Sequence, residues 1–305
     1  MSILSRPEFH DEQAAYDYVE SKLWPAGPVC PKCGENERTT KMQGASTRIG
    51  TYKCRACRKK FTVKVGTIFE SSHVAMNLWL QAIYLMCASK KGVSSNQLHR
   101  TLGVTLKTAW FMSHRIREAM RDDTLRNFGA GGGMVESDET YMGKTQGLGK
   151  GPHLSKKRKI LALVDRDTKQ VRSMVVDNVD VKTLMPIITE NLAREAQLMT
   201  DQAQHYKKIG KAFSAHHTVN HGIKEYVNKE DPTIHSNTVE NYFSVFKRGM
   251  KGVYQHCKKE NLHRYLAEYD FRYNYRAKNE YTDAQRADVA LLGVVGKRLT
   301  YQRAN

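Results

Sequence analysis

Hydrophobic and polar positions alternate with different periods in successive stretches of the chain. Between residues 74 and 125 the spacing is helical. Leu78, Ile83, Leu85 and Met86 form an apolar face in a first predicted helix. Ser94 or Ser95 then caps a short helix running to Leu102, which Gly103 ends. Thr105 caps a third helix with Ala109, Met112, Ile116 and Met120 spaced for burial. After the glycine-rich stretch 127–133 (NFGAGGG), read as a linker, the period changes to that of strands. Three strands are predicted at 134–142, 158–166 and 171–178, then a helix at 181–194 with Leu184, Ile187, Ile188 and Leu192 inward. A short strand at 197–200, a helical turn at 203–209, another short strand at 216–219 and helices at 237–250 and 261–276 complete the pattern.

Three strands, helix, strand, helix, strand, helix is the order of an RNase H-like fold, a mixed sheet flanked by helices. Helix, short helix, glycine turn and helix is the outline of a helix-turn-helix. The expected fold class is therefore α/β, or α+β over several domains. It comprises a helical segment at 1–29, a metal-stapled ribbon at 30–66, a helix-turn-helix-like segment at 70–128, a mixed-sheet domain at 133–280 and a tail at 281–305.

The ribbon rests on cysteine spacing. Residues 30–33 read CPKC and 54–57 read CRAC, so Cys30, Cys33, Cys54 and Cys57 can present four thiolates to one zinc ion. The 20 residues between the pairs are short and polar, so metal binding supplies most of the folding free energy. Thr51–Lys53 and 59–65 read as short strands beside the second knuckle, and Cys87 and Cys257 as ordinary buried residues.

Charge narrows the partner. Lys and Arg number 49 against 31 Asp and Glu, a formal net charge of +18, which favours a polyanion. In the helix-turn-helix reading 106–117 is the recognition helix, with Lys107, Thr108, His114, Arg115 and Arg117 as candidate DNA contacts. The sequence has no uncharged apolar run of membrane-spanning length and opens without a secretory apolar core, so a cytoplasmic, nucleoid-associated protein is expected.

The acids fall where chemistry is usual. Asp138 lies in the first strand of the mixed sheet, and Asp201 ends the fourth, at the carboxyl edge where open sheets carry functional groups. Glu240 lies on the late helix with Asn237 three residues before it on the same face. Hard oxygen ligands in such a set suit Mg²⁺ or Mn²⁺, with Asp138 bridging two ions and Asp201 and either Glu240 or Asn237 completing one site each. Lys247, two turns beyond Glu240, can hold a DNA phosphate, with Arg248 beside it. Glu136 shares the strand face of Asp138; it, Glu139 and Asp165 are further candidates.

Four segments carry a resemblance: VESDETYMGK at 135–144, TDQAQHY at 200–206, HSNTVENYFSVFKRGMKGVYQH at 235–256 and NLHRYLAEYDFRYNYR at 261–276. With the two cysteine knuckles they make the chain similar to the insertion-sequence transposases of the ISXO-like group, within the wider DDE transposases. The resemblance implies binding of terminal inverted repeats, then metal-dependent strand cleavage and transfer. It implies Asp138 and Asp201 as the first two catalytic acids, Asn or Glu as the third, and Lys247 as the basic residue that follows. Double-stranded DNA, as element ends and target, is the implied partner, and a homo-oligomer is expected because two ends have to be held together. The closing aromatic block reads as helix core through Leu262, Tyr265, Leu266, Tyr269 and Tyr273, with Arg272 and Arg276 adding phosphate contacts. The basic loop 143–159 reads as a hairpin meeting the DNA backbone. Two competing readings are a non-catalytic zinc-ribbon and helix-turn-helix regulator, and an RNase H-like nuclease.

Overall fold

The computed structural model describes residues 2–143, 157–219 and 227–299, which divide into two compact units. The first comprises residues up to Arg121 together with those from Glu280 onward, and the second Asp122–Asn279. Most of the basic loop, residues 144–156, lies outside the described residues.

In the first unit, Asp11 caps helix α1 (Glu12–Leu23) by accepting the Ala14 N–H at 2.7 Å. The ribbon follows as a three-stranded antiparallel sheet, β1 (Thr39–Lys41), β2 (Tyr52–Cys54) and β3 (Lys60–Phe61). Its core is as small as its polarity requires: Cys30, Tyr52, Cys54 and Phe61, with Trp24, Cys57 and Val65 at the margin. The buried Tyr52 hydroxyl donates to Glu20 at 2.7 Å and ties the ribbon to α1.

The helical pattern holds in type and place. Helix α2 is Met76–Ala88, α3 is Ser95–Leu102 and α4 is Leu106–Met120. Ser94 accepts the Gln97 N–H and Thr105 the Thr108 N–H, each at 3.1 Å, while Gly103 turns left-handed with φ +68°. The phase of α2 differs from expectation. Met76, Trp79, Leu80, Ile83, Met86 and Cys87 are buried, whereas Leu78 and Leu85 are only half-buried. The reason is long-range. Helix α9 (Asp283–Leu292), begun by a capping box at Thr282, belongs to this unit, and the buried Arg286 guanidinium donates to the Cys87 carbonyl at 2.7 Å. Residues 281–299 are therefore a packed part of this unit rather than a tail.

The second unit is one five-stranded mixed sheet in the order β6-β5-β4-β7-β8. Its strands are β4 (Met134–Met142), β5 (Arg158–Asp165), β6 (Gln170–Val176), β7 (Gln197–Asp201) and β8 (Ala215–Val219). The first three run antiparallel; β7 pairs parallel with β4 and β8 parallel with β7. This is the RNase H-like arrangement that the element order implied. Both faces are covered, so β5 is apolar at every central position. Ile160, Ala162 and Val164 pack with α7 (Asn237–Gly249) and α8 (Leu262–Asn274). Leu161 and Leu163 face the other way, toward α5 (Val181–Asn191) and α6 (Gln204–Ile209). Truncating any of these large side chains to Ala should cost about 2–5 kcal/mol.

The glycine-rich stretch is not a slack linker. Phe128 is buried and bridges to Leu192, and the Gly129 N–H donates to Asp165 at 2.8 Å. Gly129 has φ +73°, and a Cβ there would lie 2.5 Å from that of Ala196, so the position admits only glycine without strain.

Candidate active site and zinc centre

The four ribbon cysteines converge. Their sulfurs all lie within 4.8 Å of one another, with Cys30 to Cys57 and Cys33 to Cys54 each at 3.7 Å. A tetrahedral zinc with Zn–S bonds of about 2.3 Å requires S–S separations of about 3.8 Å, so the donor set fits a structural zinc ion. Among the described residues, no trio of acids or histidines gathers as tightly.

The acids of the second unit are placed by strand register. Met134 pairs with Gln197 and Glu136 with Met199, an offset of 63 residues that Asp138 and Asp201 share two positions further along both strands. The two carboxylates therefore stand on neighbouring parallel strands. Helix α7 brings Glu240 in its first turn. Burial, then Glu139, Asp201 and Glu240 as negative neighbours, push the Asp138 carboxyl up to about 7, against one lowering hydrogen bond from the Glu139 N–H at 2.8 Å. Asp201 accepts the Ala203 N–H through Oδ1 at 2.9 Å. Asn237 is exposed at the helix start, and Glu240 half-buried. Lys247 and Arg248 are exposed at the far end of α7.

The other candidate acids are engaged elsewhere. Glu136 is fully buried and bonded to Arg166 and to the start of α7. Glu139 accepts the Tyr206 hydroxyl at 2.5 Å and stands 3.4 Å from His205 Nε2. That contact raises the His205 imidazole above its ordinary range although burial opposes it. Asp165 accepts the backbone N–H groups of Gly129, Asp167 and Thr168, which makes it a turn cap. Reading the sequence missed Arg166, His205, Tyr206 and His235; the signal for three of them was their place inside the quoted motifs.

The proposed recognition helix divides in two. Lys107 is exposed and Thr108 half-buried, within reach of a ligand. Arg115, Arg117 and His114 are buried, which corrects the expectation that they contact DNA. Arg115 donates to the carbonyls of Ile68 and Glu70, and Arg117 to the Ser113 hydroxyl at 3.1 Å. Helix α4 instead exposes Leu106 and Trp110 beside Lys107. Arg272 is likewise buried in an ion pair with Glu268, which removes it from the phosphate contacts expected of it.

Two family profiles match the chain: the transposase zinc-ribbon domain over residues 10–60 and the ISXO2-like transposase domain over residues 131–274. Together they take in well over half of the sequence. The chain belongs to the insertion-sequence transposases with this pair of domains. A protein of the transposable element ISH50 from Halobacterium salinarum is 25% identical over 281 residues, covering 87% of this transposase and 91% of the relative. Among solved structures, a chain of the simian T-cell lymphotropic virus intasome in complex with the PP2A regulatory subunit B56 gamma aligns with 57% of this one at 14% identity. The alignment spans 63% of that chain, under two thirds of its length, with a TM-score of 0.28. Among the described residues of the transposase, no helix is long and apolar enough to cross a membrane.

Proposed function

We propose that this transposase binds the terminal inverted repeats of its element and catalyses metal-dependent DNA strand cleavage and strand transfer. The observation that supports it best is the register of β4 and β7, which sets a second carboxylate on the parallel strand next to that of Asp138, while Glu240 on α7 is among the charges that act on Asp138. Burial first, and then negative neighbours that include Asp201 and Glu240, raise the proton affinity of Asp138, and a divalent cation would favour its ionised form. The donor set, all hard oxygens, fits Mg²⁺ or Mn²⁺.

In this reading Asp138, Asp201 and Glu240 hold the metal, which when bound activates the attacking oxygen and stabilises the leaving one. Glu240 is preferred to Asn237 as the third ligand because it is half-buried where Asn237 is exposed, and a carboxylate is a stronger ligand for a hard cation than a neutral amide. Lys247 and Arg248, exposed on the same helix, take DNA phosphate. Lys107 and Thr108, with the exposed Leu106 and Trp110, form the DNA-reading end of α4. The partner is double-stranded DNA, as element ends and target, and a homo-oligomer forms on it to hold two ends.

A supercoiled plasmid carrying paired terminal repeats tests this with Mg²⁺ or Mn²⁺. Asp138→Ala and Asp201→Ala should abolish cleavage and joining while end binding persists; retained cutting by both variants overturns the assignment. Glu240→Gln should lose far more activity than Asn237→Ala, and the reverse order would make Asn237 the third ligand. Cutting without a joined product would favour the nuclease reading.

A further inference from the structure

The start of α7 is held by a carboxylate from the sheet. Ser236, at the N-cap, makes no side-chain capping bond, so the first-turn amides need acceptors from elsewhere. Glu136 on β4 supplies one: Oε2 accepts the Val239 N–H at 2.8 Å. Its Oε1 accepts from Arg166 Nε at 2.6 Å and lies 3.3 Å from His235 Nδ1. Arg166, the residue after β5, also donates Nη2 to the His235 carbonyl at 2.6 Å and Nη1 to the Thr233 carbonyl. The same Nη2 stands 2.8 Å from His235 Nδ1. The chain entering α7 is thus bound at Thr233, His235 and Val239 to two neighbouring strands.

The placement of this network is what gives it a consequence. Glu136 is two residues before Asp138 on one strand, and alternation puts both side chains on the same face. Val239, whose amide Glu136 holds, immediately precedes Glu240. A single fully buried side chain therefore links the strand of the first acid to the helix turn of the third. A metal site tolerates little error in the distance between its ligands, and ligand groups are commonly oriented by partners behind them.

We propose that Glu136, with Arg166 and His235, is a positioning cluster for the metal site: it fixes where Glu240 stands relative to Asp138 and Asp201, and so sets the affinity for Mg²⁺ or Mn²⁺. This rests on the reading above in which those three acids are the ligands. A carboxylate that served packing alone would change stability when replaced. A positioning carboxylate also changes metal affinity, and does so only while Glu240 is present to be positioned.

The test is a titration of the full-length chain with Mn²⁺ alone, followed by electron paramagnetic resonance, with a melting curve on every variant. Glu136→Gln should bind Mn²⁺ at least tenfold more weakly than the parent while remaining folded. The double variant Glu136→Gln with Glu240→Gln should bind no more weakly than Glu240→Gln alone. Asp138→Asn and Asp201→Asn test the underlying reading separately: if both bind Mn²⁺ as the parent does, that reading fails. If they lose binding while folded Glu136→Gln keeps parental affinity, the positioning proposal fails. It fails equally if Glu136→Gln weakens binding by the same factor with and without Glu240. Should Glu136→Gln not fold, Arg166→Lys and His235→Asn carry the same measurement, and parental affinity in both overturns the proposal.

Discussion

Replacing Asp138 with Asn should make the metal-free protein more stable at neutral pH, even though it should destroy the proposed chemistry. The carboxyl ordinarily ionises near 3.8, and in the fold its pKa is pushed up to about 7. A gap of roughly three pH units at about 1.4 kcal/mol each makes the ionised side chain cost about 4 kcal/mol. Asp138 is only half-buried, and screening by water reduces this to about 2–3 kcal/mol. The sign follows from proton binding. Between about 4 and 7 the folded state keeps a proton that the unfolded chain has lost, so the wild type loses stability as pH rises through this window. Asn cannot ionise and loses none. In Mg²⁺-free buffer at pH 8 the second unit of Asp138→Asn should melt about 5–10 °C above wild type, at about 2–4 °C per kcal/mol for a domain of this size. By about pH 4 the gap should have largely closed. Adding Mg²⁺ should lift the wild type by mass action, about 2.7 kcal/mol at a hundredfold excess over Kd, and leave Asp138→Asn unmoved. Calorimetry without chelator, which spares the ribbon zinc, measures all three. The reasoning is refuted if Asp138→Asn melts at or below wild type at pH 8, or if the difference does not shrink as pH falls.

Other perturbations separate architecture from recognition. Cys54→Ser should cost the chain its zinc, about one ion by elemental analysis, and unfold the ribbon, because metal binding supplies the stability that the small core of Tyr52 and Phe61 cannot. Gly129→Ala should destabilise by about 2–4 kcal/mol in denaturant titration, combining a left-handed φ with a Cβ driven against Ala196 and Val135. Arg115→Ala should lower the melting temperature, since its guanidinium holds two carbonyls of the first unit. Lys107→Ala should leave melting unchanged and reduce the salt dependence of end binding by about one ion.

What the sequence disclosed was local. Ser94, Gly103 and Thr105 announce α3, its end and the start of α4 because a cap or a left-handed residue acts on amides within a few positions. The run from Ile160 to Val164 announces a strand covered on both sides, since no polar residue interrupts it. The spacing of the cysteines is itself the geometry of the zinc centre. What stayed hidden depends on segments distant in sequence. Arg115 and Arg117 look like phosphate contacts on a basic helix, yet carbonyls from Ile68 and Glu70 and the return of the chain after Glu280 enclose that end of α4. Glu136 falls on the face of Asp138 and reads as a spare ligand until Arg166 and His235, some 30 and 99 residues away, are seen around it. Asn127–Gly133 composition suggests slack chain, but Phe128 anchors it by a pairing with Leu192 that no local rule foretells.

The shared offset of β4 and β7 says what kind of length variation the proposed metal site can absorb. Residues can be gained or lost in the turns between the two strands, because pairing, not contour length, brings the acids abreast. A single insertion inside β4 between Met134 and Asp138 would be another matter: it would rotate the carboxylate to the opposite side of the sheet, among the aliphatic side chains. Relatives that work by the same chemistry should accordingly keep the five-residue spans ending in each aspartate intact while varying freely in the loops around them.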